Sequence, residues 1–262
     1  MTAVNYAARD SATMLRRNLR HIRWYPSLTV LLLAQPILLL LLFTYVFGGT
    51  MGDGLPGSDG GRAAYLAYIT PAILVMAVAS VAAGTSISVA KDMTEGIIAR
   101  FKTMAIARGS VLTGHVLSAM IQTMFTVAVT ALVAVLIGYR SAGGPFGLLG
   151  ALGVLTMLAF AITWLAVMFG VISKSVETAS NWPTLLVLLP FLGSGFVPTD
   201  SMPTALRWFA EYQPFTPVME TLRALLDGTD LGNNAILATA WCVGLALVGY
   251  LVSRGRFAPA RT

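Results

Sequence analysis

Charged residues are scarce in this sequence of 262 residues. Only 11% of the residues are Asp, Glu, Lys or Arg, whereas about 25% is usual for a soluble domain. Hydrophobic residues make up 56%, which is more than a water-soluble core can hide. The composition therefore excludes an ordinary soluble domain and indicates an integral membrane protein.

The long apolar runs contain no Asp, Glu, Lys or Arg. Ion-coupled transporters and proton pumps usually keep such a residue inside the bilayer, because coupling needs a group that changes charge there. The runs are interrupted only by neutral polar side chains: Gln35, Thr85, Ser86, His115, Gln122, Thr156, Thr163 and Ser194. His115 lies near a helix end, and we predict a hydrogen-bonded packing residue rather than a proton relay. An ion gradient is therefore not expected to drive this chain.

The sequence also lacks a nucleotide-binding motif, a clear pair of residues for nucleophilic catalysis and a pair of cysteines for a disulfide. Lys174 follows Ser173 where a phosphate-binding loop requires glycine. A serine protease within the membrane would need facing Ser and His residues, and Ser194 with His115 fits that arrangement only loosely. The single cysteine, Cys242, excludes an intrachain disulfide. We predict that the chain is not an enzyme, has no catalytic residue, and binds no metal or cofactor itself. Another subunit would then supply the energy for any uphill transport.

Six apolar runs predict the fold. They cover approximately residues 28–48, 63–90, 111–137, 148–172, 182–198 and 235–253. A helix needs about 20 residues to cross a hydrocarbon core ~30 Å thick, so five runs are long enough and the proline-rich fifth is marginal. The predicted fold class is an all-α polytopic membrane protein with six transmembrane helices. We divide it into a cytoplasmic interfacial helix, 1–27, and a six-span domain, 28–262.

The segment before the first run is basic and weakly amphipathic. Apolar positions from Val4 to Leu15 share one helical face, and Arg16 and Arg20 lie on another. We predict a helix in the cytoplasmic interface, with a disordered basic tail as the alternative. The first run is longer than a signal-peptide core, and residues 49–52 lack a cleavage pattern, so we expect its helix to be retained.

Lys and Arg residues outside the runs are divided unequally between the two sides. Thirteen lie in the N-terminal segment, in the loop 91–110, at Lys174 and after residue 253, against four on the other side. Because short basic loops stay in the cytoplasm, both termini are predicted to be cytoplasmic. Segment 199–234 is then exterior, in agreement with its five acidic and two basic residues. Topology and anionic lipid headgroups explain the positive charge, so no nucleic-acid partner is expected.

The loop 91–110 has the pattern of a short amphipathic helix. Asp92 and Glu95 have the spacing of a capping box. Apolar residues then recur on one helical face: Met93, Ile97, Ile98, Phe101 and Met104. Basic residues flank this stripe: Lys91, Arg100, Lys102 and Arg108. The stripe must be buried against headgroups or in a groove on a partner protein, and composition leaves both open.

Prolines and glycines interrupt the fifth run. Pro183, Pro190 and Pro198, with Gly193 and Gly195, predict a short, broken helix. Backbone groups that lose their helical hydrogen bonds at membrane depth must be buried in protein or line a cavity. The aromatic stretch that follows is predicted to form re-entrant helices within the exterior segment 199–234, acting as an exit lid or as a structural cap. Possible substrate-path residues are Gln35, Gln122, Pro190 and Ser194.

Two stretches of sequence resemble a known transporter family. The first is Glu-Gly-Ile-Ile-Ala-Arg-Phe-Lys at 95–102, with Ala-Arg at 107–108. The second is Phe-Val-Pro-Thr at 196–199, Met-Pro at 202–203, Phe-Ala-Glu-Tyr-Gln-Pro at 209–214 and Thr-Pro at 216–217. They resemble the coupling-helix loop and the exterior segment of type-2 ABC exporter membrane subunits, in particular the daunorubicin-resistance-like permeases of actinobacteria. The resemblance covers nearly the whole chain, and Ala105 departs from it where relatives tend to carry proline.

The resemblance implies two membrane subunits and two ATP-binding subunits. ATP and magnesium would bind the partner, and the partner would hydrolyse the ATP. The helix from Asp92 to about Met104 would lie in a cleft on the ATPase, with Arg100 and then Glu95 as the preferred salt-bridge residues. The residues assigned to coupling are Asp92, Glu95, Gly96, Ile97, Ile98, Arg100, Phe101, Met104 and Arg108.

We therefore predict the membrane subunit of an ATP-driven exporter in the bacterial plasma membrane. It would move a hydrophobic or amphiphilic compound, a drug-like metabolite or a lipid, out of the cytoplasm or inner leaflet. Its membrane partner would be a second copy or a related permease. The alternative is a non-transporting assembly or regulatory subunit that binds a cytosolic partner.

Overall fold

The computed structural model describes residues 26–55, 60–94 and 108–257, together with positions 13, 15, 16 and 18. Regular structure in these residues is entirely helical. The main helices are α1 (Pro26–Leu42), α2 (Gly61–Thr94), α3 (Arg108–Leu136), α4 (Gly144–Ile172), α5 (Val176–Leu188), α6 (Thr204–Tyr212), α7 (Phe215–Asp227) and α8 (Asn234–Phe257). The all-α prediction is confirmed. The four described positions before residue 26 are also helical, and the division into 1–27 and 28–262 stays a prediction.

Five helical stretches of the described chain are long and apolar enough to cross a membrane. They are Val30–Gly52, Gly61–Thr94, Leu112–Leu136, Gly144–Ile172 and Asn234–Arg256, with lengths of 23 to 34 residues. At about 1.5 Å per residue, each reaches across a ~30 Å hydrocarbon core. The first continues from α1 through a π-helical turn, Phe43–Phe47, into a last turn, Gly48–Gly52. The prediction of a polytopic membrane protein is confirmed.

The fifth apolar run forms a short helix and then breaks. α5 has 13 residues and is followed by a 3₁₀ turn, Leu189–Leu192. Ser175 starts the helix, because its Oγ accepts a hydrogen bond from the backbone N–H of Thr178 at 3.2 Å. The predicted break is confirmed. Since α5 is shorter than the about 20 residues that a span needs, the count of six spans stays a prediction.

α2 lies at the centre of the bundle and packs against α1, α3, α4 and α5. The core joins Ile69, Ile73 and Met76 of α2 to Leu158 and Ile162 of α4. In contrast, α8 and the first span expose most of their apolar side chains. Lipid tails are as apolar as leucine, so this exposure is compatible with a bilayer.

Glycines allow the long helices to approach closely. A Cβ built on Gly170 of α4 would lie 2.7 Å from the carbonyl oxygen of Ser86 in α2. A Cβ on Gly249 of α8 would lie 2.6 Å from the carbonyl carbon of Trp164 in α4. Because membrane helices associate through close van der Waals packing, these positions fix how α2, α4 and α8 pack.

The predicted exterior segment folds as two helices. α7 packs against α2, α4 and α8, and its inner face is buried, including Phe215, Met219 and Leu222. The backbone N–H of Gly143 donates to the carbonyl of Leu226 at 2.8 Å, which ties the end of α7 to the start of α4. α6 is more exposed, with Trp208 67% accessible. The depth of these helices in the outer leaflet stays a prediction.

Candidate functional site

A buried polar pair joins the ends of α2 and α3 that flank the predicted coupling segment. Asp92 lies in the last turn of α2 and is 6% exposed, and His115 lies in the second turn of α3 and is 4% exposed. His115 Nε2 donates to Asp92 Oδ2 over 3.0 Å, because a carboxylate can only accept. A hydrogen bond to a charged group contributes about 1.5–3 kcal/mol. The pair therefore holds the two helix ends together.

Asn18 connects the N-terminal segment to this pair. Its Nδ2 lies 3.4 Å from His115 Nδ1 and 3.4 Å from Ser118 Oγ. Ser118 Oγ in turn donates to the His115 carbonyl at 3.0 Å. His115 is thus a hydrogen-bonded packing residue, as predicted from its place near a helix end. Asn18, Asp92, His115 and Ser118 form what we call the stem cluster.

Most of the predicted coupling residues lie outside the described residues. These are Glu95, Gly96, Ile97, Ile98, Arg100, Phe101 and Met104. Arg108 is the first residue of α3. Asp92 lies inside α2, which continues to Thr94, so its predicted role as the cap of a separate helix is wrong. Its carboxylate is buried against His115, because α2 continues past the end of the apolar run. The role of these residues in coupling stays a prediction.

At the other end of α2, two tyrosines bind the irregular segment that follows α5, residues 189–196, which we call the break. Tyr68 Oη donates to the carbonyl of Ser194 at 2.8 Å, and Tyr65 Oη donates to the carbonyl of Phe196 at 3.3 Å. Residues 193–196 are all buried. Backbone groups buried at membrane depth need such partners. Of the two alternatives that the sequence leaves open, burial in protein and the lining of a cavity, residues 193–196 show the first.

Arg223 of α7 is a third support of the same break. Its Nη2 donates to the carbonyls of Ser194 and Tyr68, each at 3.2 Å. Its guanidinium carbon lies 4.0 Å from the centroid of the Tyr68 ring, a distance that allows a cation–π interaction. Glu220 accepts from Nη1 at 2.6 Å. Arg223 therefore links α2, α7 and the break.

Aromatic contacts bring the first span to the break. The ring of Phe43, in the π-helical turn, lies 4.6 Å from that of Phe196, which stacks 4.6 Å from Phe191. π-Helical turns inside α-helices are frequent at functional sites. The break thus meets three of the surrounding elements: the first span, α2 and α7.

The structure brings together only part of the predicted substrate path. Pro190 and Ser194 are both buried in the break, and a Cβ built on Gly195 would lie 2.9 Å from the Pro190 carbonyl. Gln35 and Gln122 are half-buried on other helices, α1 and α3. Their place in a path stays a prediction.

Two ionisable groups between α3, α4 and the end of α7 have raised pKa values. Burial raises the pKa of Tyr139 to about 12, and the nearby Asp227 carboxylate adds to this shift. Burial also raises the pKa of Asp227 above its usual range, while Arg223 opposes the shift. The surroundings of Asp227 therefore favour the neutral form of its carboxyl.

The comparison with known proteins decides the family. The profile of the ABC-2 type transporter family matches residues 10–226, most of the chain. The chain belongs to this family. The permease is 28% identical over 243 residues to the daunorubicin resistance ABC transporter permease protein DrrB1 of Streptomyces coeruleorubidus, an alignment that covers 92% of this chain and 80% of that protein. It is 22% identical over 238 residues to the probable doxorubicin resistance ABC transporter permease protein DrrC of Mycobacterium tuberculosis. This alignment covers 90% of this chain and 84% of that protein.

The sequence of the permease predicts its family correctly but does not reveal the supports of the break. Tyr65 and Tyr68 sit within an apolar run and give no signal of their own. One signal in the sequence could have indicated them. Arg223 follows Glu220 by three residues in a helix whose other face is apolar. A charged residue in such a helix usually has a partner, so Arg223 is expected to bind a polar group nearby. The partners of Arg223 lie 29 and 155 residues away in sequence, so no local spacing identifies them.

Proposed function

We propose that this permease exports a hydrophobic or amphiphilic compound, such as a drug-like metabolite or a lipid, with energy from a separate ATP-binding subunit. The observation that carries the proposal is the match to the ABC-2 transporter family across residues 10–226. Two relatives named for daunorubicin and doxorubicin resistance support a substrate of this kind.

The distribution of charge in the spans supports an external source of energy. Among the described spans, charged residues occur only near the ends, as with Arg62 and Asp92 in α2 and Arg254 in α8. A transporter driven by an ion gradient usually needs a titratable group at membrane depth. ATP and magnesium bound by the partner subunit fit a chain of this composition better.

The stem cluster supports a route for coupling. We assign the apolar stripe that includes Ile97 and Phe101 to a cleft on the ATP-binding subunit, with Arg100 and Glu95 as its charged contacts. A displacement of this segment would reach α2 and α3 together, because Asp92 and His115 join them at 3.0 Å. A packed pair of helices passes on such a displacement as a rigid-body shift.

The proposed assembly has two ATP-binding subunits and two membrane subunits, the second being another copy or a related permease. It lies in the bacterial plasma membrane with both termini in the cytoplasm. The break containing Pro190 and Ser194 is then near the exterior end of the path, with Gln35 and Gln122 further along it.

Transport by inside-out vesicles tests this proposal. Vesicles that contain the permease and its ATP-binding subunit should take up doxorubicin when ATP and magnesium are added. Vesicles with a hydrolysis-deficient ATP-binding subunit should not. A stable complex that moves neither doxorubicin nor a fluorescent phospholipid would contradict export and favour an assembly or regulatory role.

Matched variants of α3 test the coupling route. His115→Leu should lower ATP-driven uptake more than it lowers the amount of complex, since it removes the bond between α2 and α3. Leu117→Ala, on the exposed face of the same helix, should leave both nearly unchanged. Equal uptake by the two variants would show that the stem cluster does not take part in coupling.

A further inference from the structure

Three buried polar atoms near the break have no hydrogen-bond partner among the described residues. They are Ser194 Oγ, Gln213 Oε1 and Arg223 Nε. Ser194 and Gln213 are each 4% exposed. An unpaired buried group costs about 1–3 kcal/mol, and nearly all such groups in native proteins bind protein or ordered water. All three belong to residues that hydrogen bonds link to one another, directly or through Thr216, and this points to a ligand that the protein side chains do not provide.

The groups that carry these atoms converge on Ser194. Thr216 Oγ1 accepts from the Ser194 N–H at 3.4 Å and from Gln213 Nε2 at 3.5 Å. Arg223 Nη2 reaches the Ser194 carbonyl at 3.2 Å. The two bonds to Thr216 are long compared with the usual 2.9–3.0 Å, so they satisfy their donors weakly. Ser194, Gln213, Thr216 and Arg223 thus form one buried group, which we call the break cluster.

The chemistry of the unpaired atoms selects the ligand. Gln213 Oε1 is an acceptor, Arg223 Nε–H is a donor, and the Ser194 hydroxyl can be either. The guanidinium disfavours a cation. Glu220, paired with the same guanidinium at 2.6 Å, offsets its charge and disfavours an anion. A neutral molecule with both donors and acceptors remains, and water typically makes about three such bonds in a buried site.

We propose that the break cluster binds an internal water molecule. The water donates to Gln213 Oε1, accepts from Arg223 Nε and shares a hydrogen bond with Ser194 Oγ. It adds a link between the broken segment after α5 and α7, beside the direct bonds that Thr216 and Arg223 make to Ser194. Because water can change hydrogen-bond partners, it keeps these groups paired when the break shifts against α7.

Met219 is a natural reporter for this water. A Cβ built on Gly193 would lie 3.1 Å from Met219 Cε, and one on Gly195 would lie 3.0 Å from Met219 Sδ, so the thioether borders the cluster. Met219 is 0% exposed, and Met76, in the core of α2, is 2% exposed. X-ray irradiation turns water into hydroxyl radicals, which oxidise a neighbouring methionine to its sulfoxide. A bound water therefore causes oxidation of Met219 although bulk solvent does not reach this residue.

The test is radiolytic labelling of the permease with its ATP-binding subunit in lipid nanodiscs, read by mass spectrometry. Met219 should be oxidised several-fold faster than Met76. Ser194→Ala and Gln213→Leu should each lower the rate at Met219 towards that of Met76, and either variant suffices if the other fails to assemble. A wild-type rate at Met219 no greater than at Met76 would overturn the proposal. So would a fast rate that both variants leave unchanged, because the radicals would then come from outside the cluster.

Discussion

Replacement of Arg223 by leucine tests whether α7 holds the break in place. The Arg223 side chain is only 15% exposed, and its guanidinium contacts the carbonyls of Ser194 and Tyr68 and the face of the Tyr68 ring. Leucine keeps an apolar side chain at this position on α7 but removes all donors and the cation. The variant should therefore loosen the contact between α7, α2 and the break.

The size of the effect follows from the interactions that are lost. The guanidinium makes three hydrogen bonds, but the Ser194 carbonyl keeps the Tyr68 hydroxyl as a donor at 2.8 Å and Glu220 is partly exposed to solvent. We therefore count only the bond to the Tyr68 carbonyl. Such a bond contributes about 1.5–3 kcal/mol, and a partly desolvated cation–π contact about 0.5–2 kcal/mol. The expected loss is thus about 3 kcal/mol. For a chain of this size, about 2–4 °C per kcal/mol converts the loss to a fall of roughly 6–12 °C in the unfolding midpoint.

Thermal unfolding of the purified permease in detergent measures this fall. The matched control is Arg207→Leu in α6, where the arginine side chain is 45% exposed and pairs with Asp200 and Glu211. Exposed ion pairs contribute little, so the control should unfold close to the wild-type midpoint. Equal midpoints for Arg223→Leu and Arg207→Leu would refute the assignment of Arg223 as a support of the break.

Three further predictions concern topology, packing and pH. In a chain without its native cysteine, an impermeant thiol reagent added to intact cells should label a cysteine at Asn233 and not one at Thr103; labelling at Thr103 would contradict the cytoplasmic loop. Gly147→Val should sharply reduce the amount of assembled protein, because its side chain would collide with the Leu225 carbonyl, whereas Gly153→Val on the same helix meets nothing within 4 Å and should be tolerated. Burial raises the pKa of Asp227, so its contribution to stability is greatest below its usual pKa and is lost as pH rises through the raised value. The midpoint of the wild type should therefore fall more than that of Asp227→Asn as pH rises from acid to neutral, and parallel curves would count against this.

The helices and their order follow from sequence, because their signals are local. Runs of about 20 uncharged residues predict spans, and Pro190 with Gly193 and Gly195 predicts the break after α5. The length of α2 is less well predicted: hydropathy ends at Ala90, whereas the helix continues to Thr94. Within this extension Asp92 is buried, and His115 of α3 pairs with its carboxylate. That partner is 23 residues away, beyond the reach of a capping pattern.

In the candidate sites too, features with local signals are predicted from sequence and features that depend on distant contacts are not. The coupling segment is recognisable because its apolar stripe and flanking charges are close in sequence. The support of the break by Tyr68 and Arg223 depends on contacts over 126 and 155 residues. Such contacts arise only when α2, α7 and the segment after α5 pack together. A single sequence indicates that a broken helix needs partners for its backbone, but not which side chains provide them.

We propose that an ATP-binding subunit drives this permease through the segment between α2 and α3. Phe101→Asp tests it most directly, since the sequence pattern places Phe101 on the apolar stripe of that segment, which lies outside the described residues. A buried, unpaired charge is strongly destabilising, by several kcal/mol, so the variant should insert into the membrane but lose the ATP-binding subunit on purification. Thr103→Asp adds the same charge off the stripe and should retain it. Co-purification of Phe101→Asp with the ATP-binding subunit at wild-type yield would contradict docking through this segment.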